Sequence, residues 1–261
     1  MDTLNTMNSI QNLFSLDGKT AVVTGANTGL GQGISVALAA AGAHVFGVAR
    51  RSCEETLTKI NDFGGKFTEV IADLSDLSAI ETILNEVQSQ TDRIDILVNN
   101  AGIIKRCDAI DVTLEDWDSV TNLNEKLVFF LSQSVAKSWI ADGKGGKIIN
   151  IASMLSYQGG IRVPAYTASK SGLAGLTKAL ANEWAKHNIN VNAIAPGYMA
   201  TNNTTQLRND KDRNDDILSR IPAGRWGTSE DMYGAAIFLA SDASAYMNGF
   251  TIAVDGGWLA R

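Results

Sequence analysis

The chain has 261 residues, of which 45% are hydrophobic and 19% charged, with a net charge of −6. That length and composition fit one large α/β domain and exclude disorder, while the acidic balance argues against nucleic acid as the main partner, since no basic block is present to neutralise phosphates. Cys53 and Cys107 form no CxxC pair, so a cysteine zinc site is not expected and two free thiols suit a reducing cytoplasm.

Residues 1–15 (MDTLNTMNSIQNLFS) lack the basic-then-apolar pattern of a secretory leader and predict a loose polar arm. A single domain then fills residues 16–261, and no apolar run reaches membrane-spanning length, so no membrane partner is expected. Residues 20–24 (TAVVT) predict a buried parallel strand, 31–41 an alanine-rich helix stopped by Gly42, and 44–48 a second strand. A helix over 54–63, a strand over 67–72 and a helix over 77–90 follow, the last with Ile80, Ile83, Leu84 and Val87 on one face. The alternation repeats with a strand at 94–99, a long helical stretch at 113–140 in two parts, and a strand at 147–152. A long helix at 164–187, a strand at 190–194, a helix at 229–240 and a strand at 250–254 complete the chain. Seven strands alternating with helices imply a Rossmann-type, doubly wound α/β fold, a parallel seven-stranded sheet with helices on both faces. Residues 196–227 are the least regular stretch and predict a substrate lid on that scaffold.

The first strand runs into Gly25-Ala26-Asn27-Thr28-Gly29-Leu30-Gly31. Glycines there permit a tight turn and let backbone N–H groups approach a pyrophosphate, with the positive end of the next helix aimed at the same anion. Strand before and helix after mark a dinucleotide loop, whereas a glycine cluster alone marks only a turn. The second strand ends in Ala49-Arg50-Arg51. No carboxylate is there for a ribose diol, and Arg50 and Arg51 suit a 2′-phosphate, so the expected cofactor is NAD(P)(H) with a lean towards NADP(H). The plainer reading makes these arginines solvated loop charges. Asp73, followed by Leu74, fits the adenine amino group or, with Ser75, a helix cap. Asn100-Ala101-Gly102 after the fourth strand fits the adenosine side of a cofactor.

Tyr166 and Lys170 sit at i and i+4 of the long helix and so share a face. A nearby ammonium lowers the pKa of a phenol and makes it a usable acid or base. Taken alone such a pair is usually an ordinary surface contact. Ser153, just past the buried strand at 147–152, changes that, because ligands bind at the carboxyl edge of such sheets. Its hydroxyl can hold a substrate oxygen.

With TGANTGLG (24–31), Asp73, NNAG (99–102), Asn124, Ser153, YTASK (166–170) and APG (195–197), the chain resembles the short-chain dehydrogenases/reductases over nearly its whole length and in the expected order. The resemblance implies Asn124, Ser153, Tyr166 and Lys170 as the catalytic set, with Asn124 (its rival is Asn122) holding a water that relays protons to Lys170. It also implies that Tyr166 and Lys170 touch the cofactor and that Pro196, Gly197, Met199 and Thr201 flank the nicotinamide. A homotetramer is implied too, with residues 258–261 at an interface.

The second half (153–172, 182–204, 221–227 and 248–261) is similar to members of that family that interconvert 2-dehydro-3-deoxy-D-gluconate and its 2,5-diketo form in uronate breakdown. Gluconate 5-dehydrogenases and 3-oxoacyl-carrier reductases are relatives and alternatives, and a dinucleotide-sensing regulator is the non-enzymatic one. The implied partner is a small keto sugar acid. A carboxylate needs a cation, for which Arg162 is the first candidate and Lys105 and Arg106 weaker ones, while Gln158, Tyr198, Asn202 and Asn203 fit hydroxyls. The basic Arg50-Arg51 turn departs from NAD-preferring members.

Overall fold

The computed structural model describes residues 3–261, with side chains from Ser9 onward. In chain order the elements are α1 (Thr3–Phe14), β1 (Thr20–Thr24), α2 (Gly29–Ala40), β2 (His44–Ala49), α3 (Glu54–Asn61), β3 (Lys66–Ile71), α4 (Ala79–Gln88) and β4 (Ile96–Asn99). They continue with α5 (Leu114–Thr121), α6 (Leu127–Ala141), β5 (Gly146–Ile151), α7 (Pro164–Trp184), β6 (Ile189–Pro196), α8 (Thr205–Asn209), α9 (Lys211–Arg220), α10 (Tyr233–Ala240) and β7 (Thr251–Val254). The seven strands form one parallel sheet in the order β3-β2-β1-β4-β5-β6-β7. The order reverses between β1 and β4, which leaves a crevice at their carboxyl ends.

Alternate residues of each central strand serve two cores. Ala21, Val23, Val45, Ile96, Val98 and Ile149 pack with Ile34 and Leu38 of α2 and with Met232 and Leu239 beside and in α10. Val22, Phe46, Val48, Leu97 and Ile148 face Ile83 of α4, Leu131 and Trp139 of α6, and Trp184 of α7. Burial on both faces explains why the strands read as continuous β-branched runs.

The long helical stretch does divide in two, at a π-helical turn over Asn122–Lys126 between α5 and α6. Thr113 starts α5, its Oγ1 accepting from Asp116 N at 3.1 Å. The N-terminal arm is a correction: it is the helix α1 rather than a loose segment, and it lies against the turn at Asp242–Ser244. The irregular stretch after β6 is a second correction. It holds two helices, α8 and α9, with Asp210 capping α9 through Arg213 N at 3.2 Å. This excursion leaves and returns at one place. Met199 bridges Gly227, Ala200 N donates to Gly227 O at 2.7 Å, and Gly227 N donates to Tyr198 O at 2.9 Å. Beneath it a third core gathers Met154, Ile217, Ile221 and Trp258, with Tyr198 and Trp226 alongside.

Trp139 is 2% exposed and its Nε1 donates to Ile94 O at 2.6 Å, while its ring lies where a Cβ on Gly146 would stand. Trp139→Ala is expected to cost about 3–5 kcal/mol by urea unfolding, and Trp139→Phe, which chiefly orphans the Ile94 carbonyl, about 1–2 kcal/mol. An alanine variant within about 1 kcal/mol of wild type would contradict this account of the core.

Candidate active site

The glycine loop after β1 sits in the crevice. Gly25 has φ +68° and Gly29 φ +58°, left-handed conformations that favour glycine. A Cβ on Gly31 would lie 2.1 Å from the Gly25 carbonyl oxygen, so glycine is what lets α2 begin against the loop. Thr28, at the helix start, makes no side-chain cap, which leaves the first amides of α2 available to an anion. Across the crevice Asn100 Nδ2 donates to Thr24 O at 2.9 Å and Gly25 O at 3.3 Å. Thr24 Oγ1 in turn accepts from Asn100 N and Ala101 N, both at 3.0 Å, and donates to Val98 O at 3.3 Å.

One cleft of about 1450 Å³ runs from this loop to the helices after β6. It exceeds the ~300–1,000 Å³ of a typical single-ligand pocket and has room for a dinucleotide and a second small molecule. Arg50, Arg51, Asp73 and Leu74 line one end. Asp73 Oδ1 accepts from Ser75 N at 3.0 Å, and this bond, helped by the Arg50 charge, holds its carboxyl below the usual carboxylate range. Glycines that a Cβ would block, free helix amides and two cations at the end of β2 form a cradle that fits a dinucleotide phosphate.

Midway along the cleft stand Ser153, Tyr166 and Lys170. Ser153 follows β5, is 9% exposed, and its Oγ accepts from Leu155 N at 3.1 Å. Pro164 opens α7, where its missing N–H costs nothing, and the first turns present Tyr166 and Lys170. The Lys170 Nζ lies 5.7 Å from the Tyr166 ring centroid and donates to Ile151 O at 2.6 Å. Burial pushes the Tyr166 phenol up, and a hydrogen bond with Ser153 and the Arg106 charge pull it back. Burial lowers Lys170 to about 8. The groups opposing the rise at Tyr166 are Ser153 and Arg106, while the neighbouring Lys170 is itself moved down by burial.

Asn124 is fully buried behind this group, in the π-helical turn. Its Oδ1 accepts from Ile103 N at 2.9 Å, and its Nδ2 donates to Ile103 O at 2.9 Å and Ser169 Oγ at 3.2 Å. A Cβ on Gly102 would stand 3.0 Å from Asn124 Oδ1 and 3.8 Å from Lys170 Nζ, so Asn124 abuts Lys170 across Gly102. Asn122 lines the cleft itself.

The cleft brings together Gly25, Asn27, Thr28, Gly29, Leu30, Asn100, Ala101, Gly102, Pro196, Gly197, Met199 and Thr201, together with Gln158, Arg162, Tyr198 and Asn202. Gly31, Lys105 and Asn124 do not line it. Lys105 turns to Asp116 at 3.2 Å. Arg162 lines the cleft but has φ +63°, and its Nε pairs with Asp108 Oδ1 at 2.8 Å. Arg213, Ile217 and Arg220 of α9 and Trp258 of the C-terminal turn also line the cleft and were not legible as site residues. Their segments carry no motif, and Trp258 pointed only to an interface.

Residues 25–259 match a family model described as enoyl-(acyl carrier protein) reductase. The 2-dehydro-3-deoxy-D-gluconate 5-dehydrogenase of Dickeya dadantii (strain 3937) is 61% identical over 252 residues, covering 97% of this chain and 100% of that one. A crystal structure from Agrobacterium tumefaciens with bound NADP is 58% identical, with a TM-score of 0.91 over 96% of this chain and 100% of that one. A gluconate 5-dehydrogenase from Burkholderia cenocepacia J2315 in complex with NADP and tartrate is 36% identical, with a TM-score of 0.90 over 97% and 99%. With its sheet order, its glycine loop and these relatives, the chain belongs to the short-chain dehydrogenase/reductase family.

Proposed function

We infer that the protein interconverts 2-dehydro-3-deoxy-D-gluconate and 3-deoxy-D-glycero-2,5-hexodiulosonate, in the breakdown of uronate-containing polysaccharides. The observation that carries this reading is the 61% identity, over 97% of the chain, to the Dickeya dadantii enzyme of that name. A nicotinamide dinucleotide, when bound along the glycine loop, supplies or accepts the hydride.

The chain's own residues handle the oxygen and its proton. Ser153 Oγ donates to the ketone oxygen and fixes it beside Tyr166. The raised phenol is fully protonated near neutral pH, so Tyr166 is the acid in reduction and the base in the reverse direction. As the phenol gives up its proton, the adjacent Lys170 stabilises the phenolate in its charged form. With Lys170 held to about 8, that stabilisation weakens at alkaline pH. Asn124 acts as a positioning residue. It ties the backbone of Ile103 to α7 through Ser169 and keeps the wall opposite Lys170 in place.

At the other end, Arg50 and Arg51 receive a 2′-phosphate, which gives a preference for NADP(H). No carboxylate pairs with either among the described residues. Residues 196–227 serve as the substrate lid. The free thiols Cys53 and Cys107 support a cytoplasmic location. The exposed Ile110, Leu114 and Trp117, at 93%, 76% and 40%, support assembly with further copies into a homotetramer.

The deciding experiment is NADPH and NADH oxidation with the 2,5-diketo acid against a panel of ketoses and 3-oxoacyl thioesters. Turnover confined to the thioesters would overturn the sugar-acid reading. Tyr166→Phe is expected to lower kcat by at least about 10²-fold with the Kd for NADPH unchanged, and near-normal turnover would remove the acid–base role. Arg50→Ala is expected to raise the KM for NADPH about tenfold or more and that for NADH less than about twofold. Equal effects on both would remove the 2′-phosphate contact.

A further inference from the structure

A six-carbon acid with its ketone at C5 carries its carboxylate on the order of 6 Å from the reacting carbon, four C–C bonds away. That charge must meet a cation inside the cleft or be left without its water. Away from the Arg50–Arg51 end and the buried Lys170, the lining cations are Arg106, Arg162, Arg213 and Arg220. Three already have partners. Arg162 pairs with Asp108 at 2.8 Å and Arg213 with Asp216 at 3.4 Å. Arg106 Nη2 donates to Asn203 O at 3.1 Å. A carboxylate seated on Arg106 would also cancel one of the two influences that favour phenolate at Tyr166.

Arg220 differs. Among the described residues no carboxylate lies within ion-pair distance of it. Its guanidinium carbon lies over the Trp258 ring at 4.3 Å from the centroid, and Trp258 is itself 5% exposed. That place over the ring anchors the guanidinium yet leaves its N–H donors unspent, which is what capture of a carboxylate needs. Nor is Arg220 needed to close the end of α9, since Arg261 Nη2 donates to Ser219 O at 3.0 Å.

The support beneath Arg220 is continuous with the reacting centre. Trp258 Nε1 donates to Gln158 Oε1 at 3.3 Å. Trp258 shares its core with Met154, the residue after Ser153. Tyr198 stands edge-on to Trp258 at 4.8 Å. A substrate oxygen on Ser153 and a charge on Arg220 are therefore referenced to one rigid aromatic block.

We propose that Arg220, held over the Trp258 ring, receives the substrate carboxylate and sets the preference for acidic ketoses over neutral ones. This rests on the sugar-acid reading above. The test compares wild type, Arg220→Met, Arg220→Lys and Arg106→Met with the 2,5-diketo acid and with uncharged 5-dehydro-D-fructose. Arg220→Met keeps a side-chain stem over Trp258 and removes the charge. It is expected to raise the KM for the acid about 10- to 100-fold, with kcat and the KM for the neutral ketose within about twofold, and Arg220→Lys should recover part of the loss. If wild type prefers the acid and Arg220→Met keeps its KM, the proposal is overturned while the sugar-acid reading stands. An effect found in Arg106→Met alone would move the seat there and likewise overturn it. An equal loss with both substrates would mark Arg220 as structural. If wild type prefers the neutral ketose, the sugar-acid reading falls and the carboxylate role with it.

Discussion

Strands β1 and β4 lie side by side, but the chain departs from them in opposite directions across the sheet. At the point of divergence backbone pairing ends and polar groups on both sides need partners. Thr24 and Asn100 supply them, the threonine hydroxyl taking two amides of the β4 exit and the asparagine amide taking two carbonyls of the β1 exit. The crevice is held open by these bonds without being filled. The glycine loop, the backbone wall at Gly102 and the start of α2 are all positioned from that joint. Lys170 and Asn124 meet across the same wall.

A second constraint is the burial around Tyr166 and Lys170. Lys170 is 4% exposed, and among the described residues the one hydrogen bond of its ammonium goes to the carbonyl of Ile151, the last residue of β5. An ammonium in such a place loses much of its preference for charge, which is why it falls to about 8. The phenol is moved the opposite way by the same burial. The two groups, nearly matched in water, are thereby moved apart, so the phenol keeps its proton more firmly than the ammonium does.

The alternation of strands and helices was legible in the sequence because each central strand is covered on both faces, so burial left continuous apolar runs. The glycine loop, Ser153, Tyr166 and Lys170 were legible because they stand in motifs of particular residues at fixed spacings. Helix α9 was not. It buries only Ile217 and presents charge elsewhere, so it lacks a long apolar stripe. Arg162 looked free in sequence because its partner Asp108 is far away along the chain, and its left-handed backbone leaves no trace in a non-glycine residue. Trp258 had no motif around it, and its place beneath Arg220 depends on how the C-terminus folds back under α9. Periodicity registers what an element buries, whereas pairing across the fold decides which charges stay available.

The parallel bridge between Met199 and Gly227 closes the α8–α9 excursion at its base. Chain entering and leaving at adjacent points can change in length and composition without moving the strands that carry Ser153 and the glycine loop. The scaffold therefore divides the cleft wall in two: the glycine loop and Ser153 are attached to the strands, whereas Arg213, Ile217 and Arg220 come from the excursion closed by the bridge. A designer could exchange that part of the wall between relatives with two junctions, one on either side of the bridge.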